Sequence, residues 1–129
     1  MKTFQEFKQM SDYFESEYEI FHPIYKKYCR KSNLAIAMFT NYMINESDCS
    51  LFEWGTVDYM LEVNKLVEFY QNKFNEYHLL AQNILNVLHN DNILSDQDVS
   101  IIFDYTFIVW RLNFLTGELS CIIEEQQSR

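Results

Sequence analysis

VDYMLEVNKLVEFYQNKFNEYHLLAQNILNVL, residues 57–88, places Met60, Val63, Val67, Tyr70, Phe74, Tyr77, Ala81, Ile84 and Leu88 at alternating spacings of three and four. Such spacing keeps one face of an α-helix apolar turn after turn, and a strand, with its period of two, cannot use it. The stretch predicts one helix about 48 Å long at 1.5 Å per residue. A seam this regular suits a helical bundle or an intermolecular coiled coil. The aromatic rings at Tyr70, Phe74 and Tyr77 are bulky for a tight two-stranded coil and favour the bundle.

The segment that follows begins Ser95-Asp96-Gln97-Asp98, a cap followed by acids in the first turn, where they complement the helix dipole. From Ile101 to Leu115 it is apolar almost all round, as expected of a helix enclosed by neighbours. Gln97, Ser100, Asp104, Arg111 and Glu118 share one strip of it and are expected to reach water or a partner. Thr106, Asn113 and Ser120 form a second strip, with Gly117 beside it, small enough for close helix packing. At the other end of the chain, Thr3-Phe4-Gln5-Glu6 is a capping box that opens a helix with Phe4, Phe7, Met10, Phe14, Tyr18 and Phe21 on one face. Pro23 has no amide to donate, so it is expected to kink this helix or to start a second one reaching about Ile44. Polar breaks at 45–56 and 89–95 are short enough to be connections within a compact unit.

Only two glycines and one proline occur in 129 residues. The turns of β-sandwiches and barrels, and the glycine loops that cradle phosphates, cannot be written with so few. The sequence therefore predicts an all-α fold: residues 1–129 as a single antiparallel bundle of about four main helices, kinked or broken at Pro23.

Ten basic against 19 acidic residues give a net charge of −9. That argues against nucleic acid and against an anionic membrane surface, both of which bind through neutralised phosphates. The one candidate span, Val99 to Leu115, carries Asp104 and Arg111 near its middle, so no membrane crossing is expected. Charged residues punctuate the first twenty positions, and Cys29, Cys49 and Cys121 form no CxxC, so a cytoplasmic, reduced protein is expected. Of the three thiols, Cys121 reads as buried and Cys49, in a polar break, as the one open to reaction.

Metal and cofactor chemistry finds little support. Glu19-Ile20-Phe21-His22 is a Glu-x-x-His pair of the di-iron kind, but no second pair exists, and His22 reads as a cap for the helix after Pro23. Asp91 to Asp98 lacks the loop glycine and terminal Glu of a calcium loop. No cofactor, metal or catalytic residue is assigned.

Charge distribution is more informative. Lys26, Lys27, Arg30 and Lys31 form one basic patch, and they are expected either to face Glu15, Glu17 and Glu19 or, less favoured, to bind phosphate with Tyr25 and Tyr28 beside them, four charges being a weak nucleic-acid footprint. Residues 32–64 contain five acids and no Lys or Arg. Within them Asp48, Phe52, Glu53, Trp54 and Asp58 combine acids with aromatic anchors, and Gly55 permits a sharp turn. The expected function is a non-catalytic protein-binding module, most concretely an inhibitor or immunity protein that occludes a basic effector such as a nuclease toxin. Two alternatives come from other classes: a homo-oligomeric structural or adaptor protein, possible as a homodimer through the Met60–Leu88 seam, and a helical-bundle enzyme or metal protein.

Overall fold

A computed structural model of the chain describes residues 1–29, 51–90 and 93–128. Among these, all regular structure is helical: α1 (Phe4–Tyr28), α2 (Val57–His89) and α3 (Asp96–Gln127). The expected all-α class holds. The fourth helix, expected through Leu34 to Ile44, falls on residues outside the described ones.

Local chemistry sets the starts. The Thr3 hydroxyl accepts from the Glu6 amide while the Glu6 carboxylate accepts from the Thr3 amide, the reciprocal box that relieves two free donors. Thr56 caps α2 by accepting from Tyr59 N, and Ser95 caps α3 by accepting from Asp98 N. Pro23 does not divide α1, which runs through it to Tyr28. The proline leaves the Glu19 carbonyl without its usual helical donor. Glu19 and Pro23 are both exposed, so water takes that place at little cost.

α3 is the element on which the others pack. Ser11 meets Asn113, Phe21 meets Tyr105 and Cys29 meets Val99, so α1 and α3 run antiparallel. Tyr59 meets Glu118 and Phe74 meets Tyr105, so α2 also runs antiparallel to α3. Phe14 meets Phe74 and Glu17 meets Gln82, which makes α1 and α2 parallel to each other. Along α1, Phe7, Phe14 and Phe21 repeat every seven residues and are all buried. On α2 the buried positions include Met60, Val63, Val67, Tyr70, Phe74, Ala81 and Ile84, so this seam packs inside the chain. Each such side chain contributes about 1.5–3 kcal/mol by leaving water.

From Ile102 to Val109 every residue of α3 is buried, as its even apolar coverage requires. α3 is long and apolar enough to cross a membrane, and 56% of its most apolar window is buried inside the fold. The small-residue strip packs on α1 as expected. The Ser11 hydroxyl, with Asn113 O at 3.0 Å and Asn113 Oδ1 at 2.9 Å, joins the two helices where a Cβ on Gly117 would lie 3.1 Å from Ser11 Oγ.

The strip expected to be wet is corrected at Asp104. That carboxyl is only 2% exposed, and its Oδ1 has no hydrogen-bond partner among the described residues. Burial pushes its pKa up to about 6, against the opposing pull of the Tyr77 hydroxyl and the Lys73 charge.

Candidate functional site

The acidic aromatic connection closes the end of the molecule where α2 begins and α3 finishes. Gly55 adopts φ +87°, a left-handed conformation that bends the chain between Trp54 and the cap of α2. The Thr56 hydroxyl donates to Glu53 O at 2.7 Å, which fixes the turn from inside. Two side chains of α3 then hold it from outside. Glu118 Oε1 accepts from Trp54 Nε1 at 2.7 Å and also from the Tyr59 hydroxyl, and Gln126 Nε2 donates to Gly55 O at 3.2 Å.

Between the turn and α3 lies a cavity of about 340 Å3, lined by Glu53, Trp54, Gly55, Thr56, Ile122, Glu125 and Gln126. Trp54 is held by its ring nitrogen, yet its side chain stays 52% exposed. Leu51, Val57 and Leu61 are exposed in the adjoining chain. Residues 51–62 and 118–126 contain Glu53, Asp58, Glu62, Glu118, Glu124 and Glu125 and no Lys, Arg or His, and Lys65, one turn further along α2, pairs with Glu62 at 2.8 Å. An apolar surface ringed by carboxylates and held by a fixed aromatic anchor is suited to a partner that brings cations around an apolar contact.

Of the five residues picked from sequence for partner binding, Glu53 and Trp54 meet at this cavity. Asp58 sits exposed in the first turn of α2, outside the lining, and Phe52 is half-buried. Asp48 lies outside the described residues. Glu118 was missed as a site residue: its partner Trp54 is 64 positions away, and sequence carries no signal for the pairing.

The basic patch is corrected in part. Lys26 and Lys27 belong to the last turn of α1, the same continuous helix as Glu15, Glu17 and Glu19, so they do not face those acids across a helix pair. Their charges complement the carbonyl end of the helix, and Lys27 Nζ lies 5.2 Å from the Tyr28 ring centroid. Arg30 and Lys31 are outside the described residues. His22 does not cap a following helix: it lies within α1, its ring 4.8 Å from that of Tyr18. Cys121 is exposed rather than buried, Cys29 is buried, and Cys49 is outside the described residues. Burial, reinforced by the Asp104 charge, pushes the Cys29 thiol up to about 11, which leaves it inert at neutral pH. Among the described residues no three His, Cys, Asp or Glu side chains gather as a metal site.

A second polar group was also missed. The Tyr105 hydroxyl, on a fully buried side chain, donates to Glu17 Oε2 at 2.9 Å and lies 2.9 Å from His78 Nδ1, while Gln82 Nε2 donates to the same Glu17 oxygen at 3.3 Å. Burial and the Glu17 charge raise the Tyr105 pKa, so the phenol stays protonated and the chain of bonds ties all three helices together. Comparison of the chain with family models, with curated proteins and with solved structures returned no match.

Proposed function

We propose that this is a non-catalytic protein-binding module, and that its acidic end occludes a basic protein, most concretely as the inhibitor or immunity partner of a basic effector such as a nuclease toxin. A cytoplasmic setting with reduced thiols belongs to the same reading. The observation that carries it is Trp54: a half-exposed indole pinned by Glu118 beside an open cavity, flanked by chain segments with six carboxylates, of which Glu62 pairs with Lys65 at 2.8 Å. An aromatic side chain fixed before binding loses little entropy on association, the property that makes Trp a frequent centre of interface energy. The surrounding carboxylates speed encounter with a basic surface and give a complex that weakens with salt. For the architecture, Leu34, Ala35, Met38, Phe39, Tyr42 and Met43 fall at helical spacing and support a fourth helix in the bundle.

Affinity capture from the native source at low and high salt tests the reading. One basic protein retained by the wild type at low salt is expected, released at high salt and not retained by Glu53→Lys/Asp58→Lys. Equal retention by the charge-reversed variant would refute the assigned face.

A further inference from the structure

A second cavity, of about 190 Å3, opens between α1 and α3 well away from the acidic end, and it is lined by Tyr18, His22, Tyr25, Phe103, Thr106, Phe107 and Trp110. Six of these seven side chains are aromatic rings. On α1, Tyr18 and His22 have centroids 4.8 Å apart, and His22 and Tyr25 6.2 Å apart with planes only 18° from parallel. On the α3 side, Phe103 meets Tyr25 at 5.6 Å and Phe107 meets Trp110 at 5.8 Å. Phe103, Thr106 and Phe107 are buried and form the inner part, and Trp110 is 38% exposed at the opening.

Among the described residues the lining contains no carboxylate, ammonium or guanidinium; the Arg111 guanidinium, outside it, lies 5.2 Å from the Trp110 ring centroid. A charged ligand would therefore find no counter-charge within the lining and lose hydration there. Its hydrogen-bonding groups are few. The Thr106 hydroxyl already donates to Ile102 O at 2.7 Å. The Tyr18 and Tyr25 hydroxyls and the His22 imidazole, all on half-buried side chains, have no hydrogen-bond partner among the described residues. They come from one wall, while the facing wall offers the rings of Phe103 and Phe107 with only the engaged Thr106 hydroxyl and the Trp110 indole N–H as polar groups among the described residues. Burial raises the Tyr18 pKa, with the nearby Tyr25 adding to it, so that phenol remains a donor at neutral pH.

We infer that this cavity binds a small, neutral, planar heteroaromatic compound of one or two rings, its faces against the aromatic side chains and its polar edge toward Tyr18, His22 and Tyr25. The volume is below the roughly 300–1,000 Å3 of sites that take drug-sized ligands, which limits the occupant to a small molecule. The cavities between α1 and α2, lined in part by Lys2, Glu6, Met10 and Gln71, share no residue with it. The inference is independent of the acidic end and of any partner bound there.

The test uses the full chain and two indole N–H signals in NMR, assigned with Trp54→Phe, so that Trp54 is the internal control for Trp110. Benzimidazole and indole are titrated as neutral planar probes, with cyclohexanol as a saturated comparison, and choline and benzoate as charged ones. Saturable shifts at Trp110 and not at Trp54 are expected for benzimidazole and indole, with cyclohexanol and both ions at least about tenfold weaker. Tyr18→Phe, which keeps the ring and removes the hydroxyl, is expected to weaken benzimidazole severalfold, and Thr106→Leu, which fills the inner part, to abolish the Trp110 response. Circular dichroism confirms that each variant is folded. Cyclohexanol or choline binding as tightly as benzimidazole, or no saturable Trp110 response to either planar probe at millimolar concentration, would overturn the inference.

Discussion

Replacing Asp104 with Asn is expected to stabilise the protein at pH 7 and to remove a specific part of its pH dependence. The carboxyl is 2% exposed, its Oδ1 is unpartnered among the described residues, and burial raises its pKa from 3.8 to about 6. Held ionised in the fold, it costs about 3 kcal/mol relative to the unfolded chain. The folded state binds the extra proton between pH 6 and 3.8, so the contribution of this group to stability rises as pH falls through that window. Between pH 7 and pH 5 the gain from this one group is about 1 kcal/mol, or roughly 4 °C in Tm for a domain of this size. The amide keeps the shape, cannot ionise, and donates where the carboxylate could only accept. Thermal unfolding of both proteins at pH 7, 6 and 5 gives the answer as a difference, in which the histidines and the other carboxylates cancel. Asp104→Asn should be more stable by about 1–3 kcal/mol at pH 7, with the advantage shrinking toward pH 5. Parallel pH profiles, with no shrinkage, would refute a buried ionisable carboxyl.

Two further outcomes follow from the packing. Gly117→Ala should gain the helical advantage of alanine, about 1 kcal/mol, only when Ser11 is also changed to Ala. In the wild type the new Cβ meets Ser11 Oγ at 3.1 Å, and that oxygen is held by Asn113. A double-mutant cycle with additive effects would contradict the contact. In a Cys49→Ser background, iodoacetamide at pH 8 should modify the exposed Cys121 first and leave the buried Cys29 unmodified until unfolding, as read by intact mass. Early labelling of Cys29 would show that the end of α1 opens.

What could be read from the sequence was local. The Thr3–Glu6 box, the Ser95 cap and the seam from Met60 onward depend on residues three or four apart, and all stand where the spacing put them, whereas the Thr56 cap of α2 went unread in the polar break before it. Of the two outcomes expected at Pro23 the break does not occur, because only one hydrogen bond is lost, at the exposed Glu19, while Phe21 and Tyr25 still reach Tyr105 and Phe103. Asp104 shares its strip with Gln97 and Arg111, which suggested solvent, but Tyr77 and Lys73 of α2 lie against it. Glu53 and Trp54 were found as an acidic aromatic turn, whereas Glu118 and Gln126, which fix that turn, approach it only through the antiparallel packing of α2 on α3. The rings of Tyr18, His22 and Tyr25 fall on one helical face at spacings of four and three, yet nothing local shows that Phe103 and Trp110 close a cavity over them.

The central claim is that the acidic end is the binding face. Hydrogen–deuterium exchange of the chain, free and saturated with the basic protein captured at low salt, tests it most directly. Protection is predicted in residues 51–62 and 118–126, together with a loss of affinity of about 30-fold for Trp54→Ala, the effect of removing about 2 kcal/mol from an interface. Protection confined to other surfaces, with Trp54→Ala binding as tightly as the wild type, would contradict it.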